Sequence, residues 1–449
     1  MARSAVSRVV VSALFALAPL VPASVARAAD PELQATGETS LGYLQTTQSP
    51  ADGSPGRDTS RGVVWVLAPG LELELLSRRM QHHLGYRYQH DFLFGDSFTS
   101  SSTNTLDYLG FFDVSERVRL LLDAGVVQSN QNSSITFAPP GTEFLGALPL
   151  GSTAFLLGRA GETLTFDVAE GWRAWQGGAV VAQTPILGSD GPKTFSPSGR
   201  LGVERVFIAD AVGAEGRIDY LVIEDGVGAE GEPVPQQRQL VSTGVGTWRH
   251  DWGRDFASRI EAGVLRLDRL NSNTGFWSPT GRAALAYVTP FGDAEIAYSH
   301  GVTTNPVLGQ TMLSDDVRLR AGVPLTKDGK VVLSATAGYQ HGQVVDDDAE
   351  LQTQVDTVLA DAAIGWRWTR LVMLGVRYQH VNQWSDVTLP GLPERFFQNA
   401  VYLGATIEFP PDSDMPRAYR SPQRVDGSDE IRDSEGSPRS QPPVRTNVR

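Results

Sequence analysis

The 449-residue sequence contains no cysteine, and this absence excludes several kinds of chemistry at once. Without a thiol the chain has no disulfide framework and no thiolate ligand for a metal ion. It also has no cysteine to which the lipid of a lipoprotein could be attached. Whatever stabilises the fold must therefore come from packing, hydrogen bonds and ion pairs.

Long apolar runs are equally scarce. After the first 28 residues, no segment offers the 18 or more apolar residues that a membrane-spanning helix needs. Met1–Ala28 combines a basic start, an apolar run and the small-residue pattern Ala26-Arg27-Ala28, which predicts a secretory signal cleaved near Ala28. The chain is thus expected to leave the cytoplasm, and any crossing of a membrane would have to be made by strands.

Positively charged residues are fewer than negatively charged ones: the sequence has 38 Lys and Arg and 51 Asp and Glu, which gives a net charge of −13. This balance predicts that nucleic acid is not a partner. The mean hydropathy of −0.18 is too low for a helical membrane protein, but it is expected where half of each strand faces water. A secreted soluble β-sandwich or solenoid would have a similar composition and remains an alternative.

Residues 353–409 show the clearest regular pattern, an alternation of apolar and polar side chains at period two. Val372, Leu374 and Val376 share one face of a predicted strand, with Arg377 on the other. The turn before this strand is short, and the connection Asn382–Glu394 after it is long. Strands of about ten residues with alternating short and long connections are typical of a transmembrane β-barrel.

The rest of the chain repeats this pattern and predicts an all-β fold, a transmembrane antiparallel up-and-down β-barrel of about 18 strands, within a range of 16 to 18. The predicted domains are a signal peptide (1–28), an outer-membrane barrel (29–409) with periplasmic termini, and a disordered periplasmic tail (410–449). One predicted hairpin turns about Gly161, between strands Ser152–Arg159 and Leu164–Trp175. The two longest loops, Gln128–Gly151 and Gln176–Ser198, are expected to fold over the mouth as a gate.

Catalytic motifs are missing. The sequence has no Gly-x-Ser-x-Gly, no His-Glu-x-x-His and no glycine-rich phosphate loop, so we predict no enzyme, no catalytic residue and no cofactor. Tyr and His recur in triplets near the outer ends of four predicted strands, where both side chains would face lipid. This arrangement predicts an aromatic belt and no metal site. The triplets are Tyr88-Gln89-His90, Tyr298-Ser299-His300, Tyr339-Gln340-His341 and Tyr378-Gln379-His380.

Charged residues of both signs occupy the opposite, inward faces. They could form cross-strand ion pairs that stabilise the wall, and they could also line a hydrated lumen whose mixed charge suits large polar cargo such as glycans. The predicted lumen-facing residues are Glu72, Glu74, Arg87, Asp91, Arg119, Asp123, Asp167, Arg173, Arg200, Glu204, Arg217, Asp219, Arg259, Glu261, Arg318, Arg320, Asp361, Arg367 and Arg377.

The motifs Pro69-Gly70-Leu71-Glu72-Leu73, Ser77-Arg78-Arg79 and Leu84-Gly85-Tyr86-Arg87-Tyr88 resemble those of β-barrel porins encoded with bacterial exopolysaccharide systems. The resemblance implies an outer-membrane conduit for secreted polysaccharide, with a separate periplasmic polysaccharide-export protein as partner. Outer-membrane lipid, the barrel-assembly machinery and the polysaccharide cargo are the other expected partners. A general or solute-specific diffusion porin is the alternative, and a structural or adhesive barrel without transport is the second.

Overall fold

The computed structural model describes residues 30–49, 58–77, 79–95, 100–131, 153–186, 193–224, 226–227, 233–234, 236–253, 255–272, 274–289, 292–305, 310–344, 354–385 and 395–409. The predicted signal peptide and tail lie outside these ranges, as does most of the predicted loop Gln128–Gly151. Within the described ranges there is no helix, hence none long and apolar enough to cross a bilayer.

The described chain forms strands, each of which begins or ends at a tight turn or a loop. In chain order β1 to β20 are Asp30–Gln48, Asp58–Leu76, Met80–Phe94, Ser101–Ser115, Val118–Gln131, Thr153–Ala169, Trp172–Pro185, Lys193–Val206, Asp210–Glu224, Gly226–Val227, Pro233–Val234, Gln237–Asp251, Phe256–Arg269, Thr274–Thr289, Gly292–Asn305, Gln310–Pro324, Val331–Val344, Gln354–Arg367, Val372–Ser385 and Arg395–Phe409. The two short strands β10 and β11 pair only with each other.

The other eighteen strands form one closed antiparallel barrel. Each pairs with its neighbours in sequence, β9 pairs with β12 across the small hairpin, and β20 returns to β1 with Tyr402 opposite Gly42. Closure leaves the described eighteen-stranded sheet without an edge strand, the condition a sheet must meet inside a bilayer. The predicted fold class and strand number are confirmed.

The register divides the side chains into an outer and an inner face. Directly paired residues share a face, and the two register shifts, at Asp113/Ser115 and Asp167/Ala169, lie beside turns. The outer face therefore carries exposed apolar residues such as Leu41, Leu319 and Leu403 around the barrel. Apolar side chains outside and charged ones inside are what a barrel in lipid requires.

The hairpin predicted about Gly161 is wrong. Residues on both sides of Gly161 belong to the single strand β6, and the chain turns instead at Glu170-Gly171, where Gly171 has φ of 71°. A left-handed φ favours glycine, whereas Gly161 is extended and leaves room for the Asp123 carboxylate on the neighbouring strand. The strand count was unaffected because the turn moved by about ten residues without adding or removing a strand.

The predicted loop Gln176–Ser198 is also wrong. Strand β7 continues to Pro185 and β8 already begins at Lys193, so only a short connection remains of that predicted half of a gate. The other half, Gln128–Gly151, is strand as far as Gln131, and its residues 132–151 lie outside the described ranges.

Candidate functional site in the barrel interior

The inner wall carries the charged residues. The register places every predicted lumen-facing residue on this face: Asp91, for example, pairs with Val66, and Arg217 pairs with Arg200. The sequence analysis did not include several further charges that also face inward. They include Glu38, Asp107, Asp113, Arg159, Glu215, Arg249, Arg282, Glu295 and Asp316.

A buried ion-pair network joins strands β7, β9 and β13. Arg217 bonds the Glu215 carboxylate, and its Nη2 lies 3.2 Å from Glu261 Oε2. Arg259 Nη2 lies 2.8 Å from the other oxygen of Glu261, and Trp175 Nε1 donates to Glu215 Oε2 at 2.9 Å. The two glutamate side chains are only 2% and 4% exposed, so the arginines supply the opposite charge beside these carboxylates that bulk water would otherwise screen.

Smaller ion pairs brace other parts of the wall. Arg173 lies between Glu204, at 3.0 Å, and Asp167, at 3.4 Å. Two further pairs hold neighbouring positions along β16 and across β18 and β19. These are Arg318 with Asp316 at 2.6 Å and Arg377 with Asp361 at 2.8 Å.

The two signs of charge are unevenly distributed around the interior. Strands β1 to β5 carry mainly acids, while β6 to β19 carry arginines on most strands, many paired with acids. On the acidic side, Arg87 bonds Glu38 at 2.6 Å, and His83 lies 3.5 Å from Glu74. The inward acids of this side are Glu38, Glu72, Glu74, Asp91, Asp107, Asp113 and Asp123. The interior is therefore electrostatically polarised from one wall to the other.

One sector of the inner wall, referred to below as the dry sector, consists of side chains that are buried from solvent. Leu44, Val64, Val66, Leu93 and Ala400 face inward from β1, β2, β3 and β20 and form a buried apolar cluster against Tyr402. Directly paired Thr46 and Gln398 beside them are 3% and 1% exposed. These inward side chains are therefore withdrawn from water, unlike the half-exposed Arg87 and Arg119 elsewhere on the same face.

The Tyr and His triplets lie on the outer face, near the ends of the strands that carry the longer connections. Tyr298 Oη donates to Asp315 at 2.6 Å and His300 Nδ1 lies 2.9 Å from the same oxygen. The arrangement recurs with Tyr339 and His341 around Asp356, and with Tyr378 and His380 around Asn399. Each acceptor comes from the next strand, a partnership that sequence spacing alone did not reveal. Among the described residues no group of three or more metal-ligand side chains converges.

A closed antiparallel barrel, apolar outside and charged inside, defines an outer-membrane β-barrel channel of the porin type. No protein-family model and no curated protein matches the sequence.

Solved structures of outer-membrane channels are similar in overall fold. Pseudomonas aeruginosa OccK9 (OpdG) shares 13% identity over 85% of this chain and 99% of its own, with a TM-score of 0.45. P. aeruginosa OccK5 (OpdH) shares 12% over 84% and 98%, with a TM-score of 0.42. Acinetobacter baumannii OccAB1 shares 8% over 84% and 97%, with a TM-score of 0.42. No comparison supports the resemblance to exopolysaccharide-associated porins that the sequence motifs suggest.

Proposed function

We propose that the protein is a diffusion porin that passes small hydrophilic solutes across the outer membrane. The observation that carries this proposal is the interior itself: a polarised, ion-paired inner wall together with a dry sector that removes part of the cross-section from the aqueous path. Solutes small enough to pass beside the buried sector would be oriented by the charges of the two walls.

The dry sector favours small solutes over a polymer. A secreted polysaccharide needs a continuous wide path, whereas the inward side chains of β20, β1, β2 and β3 are packed against one another. The aqueous path would then run along the parts of the inner wall whose charged side chains are exposed to solvent. Arg87 and Arg119 are examples, since their side chains are about half exposed. Polysaccharide export therefore gives way to the diffusion-porin alternative.

The acidic wall suggests which solutes pass best. Acids outnumber arginines on β1 to β5, and a channel wall of one sign raises the local concentration of the opposite charge. The facing arginines are largely engaged by carboxylates, as in the pairs of Arg173, Arg217 and Arg377. Small cations, and dipolar solutes that carry both charges, should thus be preferred over anions.

Ion selectivity of the purified channel in planar bilayers tests this proposal. The wild type should give a reversal potential on the cation-selective side in a KCl gradient, and the double variant Glu72→Gln/Glu74→Gln should move it toward zero. The matched control Glu116→Gln/Glu170→Gln removes two charges from exposed turns and should leave the potential unchanged. Liposome swelling should show entry of small sugars and amino acids. Closed bilayers and absent swelling would refute the porin, and loss of surface polysaccharide in a null strain would restore the export function.

A further inference from the structure

The outer face of the barrel carries, near its periplasmic rim, an arginine whose guanidinium lies beside two aromatic rings. Arg205 is one residue from the end of β8, and its guanidinium carbon lies 5.6 Å from the centre of the Trp172 ring and 5.2 Å from that of Phe207. Arg205 is directly paired with Trp172 on β7 and with Val212 on β9. All four side chains are on the outer face, and the three apolar ones are about half exposed.

Arg205 lies at the depth expected for lipid headgroups. Only residues 207–209 join β8 to β9, and short turns lie on the periplasmic side of outer-membrane barrels. Farther from this turn, the outer face of β8 carries the exposed side chains of Leu201 and Val203, which suit acyl chains. An arginine at the end of such an apolar line can keep its stem in the apolar layer and extend its charge to the interface.

The turn beside Arg205 is apolar. Its residues Phe207, Ile208 and Ala209 have no polar side-chain atom, and Ile208 is fully exposed. The turn between β4 and β5, by comparison, contains Glu116. An isoleucine that projects entirely from the protein is unfavourable in water and favourable at the boundary of headgroups and acyl chains. The turn therefore indicates contact with the membrane beyond the end of the strands.

The guanidinium of Arg205 has no anion within the described part of the chain, where it forms neither an ion pair nor a hydrogen bond. Arg266 is the internal comparison, because it is directly paired with Trp277 and lies 5.4 Å from the centre of that ring. Its Nε lies 2.8 Å from Asp268, two residues further along the same strand. Two residues beyond Arg205 the chain has Phe207 instead of an acid. An anion for Arg205 therefore has to come from outside the chain.

A second aromatic group lies on the other side of Val212. Trp248 on β12 is directly paired with Val212, and its Nε1 donates to the Asp210 carboxylate at 3.1 Å. His250 Nδ1 lies 2.7 Å from the same oxygen, so this acid is engaged by groups of β12 and not by Arg205. The tryptophans at the two ends of the row are three strand spacings apart, about 14 Å, which leaves room for one headgroup and its acyl chains.

We propose that Arg205, Trp172, Phe207 and Val212 form a binding site for an anionic phospholipid of the periplasmic leaflet. The guanidinium donates to the phosphate oxygens, which its planar set of N–H groups fits, and the two rings cover its faces. The acyl chains lie along the apolar outer faces of β8 and β9. An anionic lipid is favoured over a zwitterionic one because the site has an unbalanced positive charge and no available carboxylate for an ammonium group.

Native mass spectrometry of the detergent-solubilised protein, titrated with dioleoylphosphatidylglycerol or dioleoylphosphatidylcholine, tests the proposal. The wild type should bind phosphatidylglycerol at least fivefold more tightly than phosphatidylcholine. Arg205→Gln should weaken phosphatidylglycerol binding at least fivefold, and Trp172→Leu should weaken it too, because one ring beside the guanidinium is lost. The matched control Arg61→Gln removes an exposed outer-face arginine near the opposite rim and should leave binding unchanged. Fast gel migration of unboiled samples shows that each variant is folded.

The proposal is overturned if the wild type and Arg205→Gln bind phosphatidylglycerol equally, or if the wild type does not distinguish the two lipids. A third result concerns a protein as the occupant. Because the chain has no cysteine, a benzophenone maleimide can be attached specifically to the thiol of Ile208→Cys. Irradiation in native outer membranes should give no protein adduct, and a discrete protein adduct would overturn the lipid site.

Discussion

Replacing Arg217 by methionine should destabilise the barrel far more than replacing an exposed arginine of the same wall. Arg217 bridges two carboxylates, Glu215 and Glu261, whose side chains are almost completely buried. The substitution keeps much of the arginine's apolar stem but removes its charge, so both acids lose a counter-ion. Trp175 and Arg259 still bond one oxygen of each acid.

The expected loss in the free energy of unfolding follows from the interactions that remain around the two glutamates. Breaking a fully buried ion pair costs about 3 to 5 kcal/mol because a buried charge is left uncompensated. The Arg217 side chain is 37% exposed, so water can enter the vacated space, and we expect about 3 kcal/mol, the lower end of that range. Arg119→Met provides the comparison, since Arg119 and Asp113 are both about half exposed and lie 3.9 Å apart; the expected cost is about 0 to 1 kcal/mol.

Reversible urea unfolding of the barrel in detergent or lipid vesicles, followed by tryptophan fluorescence, measures both costs. The double variant Arg217→Met/Glu215→Gln should recover most of the stability, because it also removes the charge of Glu215, while Glu261 keeps Arg259 as its counter-ion. Equal destabilisation by Arg217→Met and Arg119→Met would refute the reasoning. So would a double variant no more stable than the single one, since the loss would then come from packing.

Two further predictions test the two faces of the wall. Val376→Arg, on the outer face of β19, should lower the free energy of unfolding by about 2 to 4 kcal/mol and reduce insertion into the outer membrane. Arg320→Glu, on the inner face, should insert normally and change the single-channel conductance. Equal insertion of the two variants would contradict the assigned faces. Gly202→Ala should lower the urea midpoint of unfolding, because the added Cβ collides with the Trp175 ring. Gly37→Ala should leave the midpoint unchanged, because the space around its Cβ is open. Similar midpoints for the two variants would show that the Trp175 ring can move away at no cost.

The barrel could be predicted from the sequence because one-sided burial imposes period two on each strand separately. The alternation of Val372, Leu374 and Val376 with their polar neighbours is a local signal, and it returns in strand after strand. An even number of strands, joined alternately by short and long connections, was enough to predict that the sheet closes into a barrel. The Tyr and His triplets were found for the same reason, since they occupy fixed positions within single strands.

Glycine caused the two errors of strand placement. Glycine is common in turns, so the sequence predicts a turn at Gly161, yet this glycine leaves space for the Asp123 side chain. The stretch Gln176–Ser198 contains Gly177, Gly178 and Pro185, which predict a loop, although most of it is strand. In neither case does the local sequence distinguish a glycine in a turn from a glycine in an extended strand that leaves room for a neighbouring side chain.

The dry sector and the groove on the outer face, whose floor is formed by Gly178, Gly199, Gly216 and Gly244, could not be predicted, because both depend on which residues become neighbours across strands. Thr46 and Gln398 are directly paired but lie at opposite ends of the barrel sequence. The groove likewise combines positions from seven strands, from Glu162 on β6 to Trp277 on β14. A shift of one residue in any register would move half of these groups to the other face, and single-sequence patterns do not fix register between strands.

The glycines of the two faces have opposite physical causes. Inward glycines lie under large side chains: Asp107 over Gly85, Arg200 over Gly177 and Trp175 over Gly202. Each lets a long or wide group lie flat against the wall, which keeps that group out of the aqueous path and holds it for its ion pair or hydrogen bond. The groove glycines have empty space above them, so nothing within the described barrel explains them. A Cβ added to an inward glycine should therefore disturb the lumen and its conductance, while a Cβ added to a groove glycine should leave both unchanged.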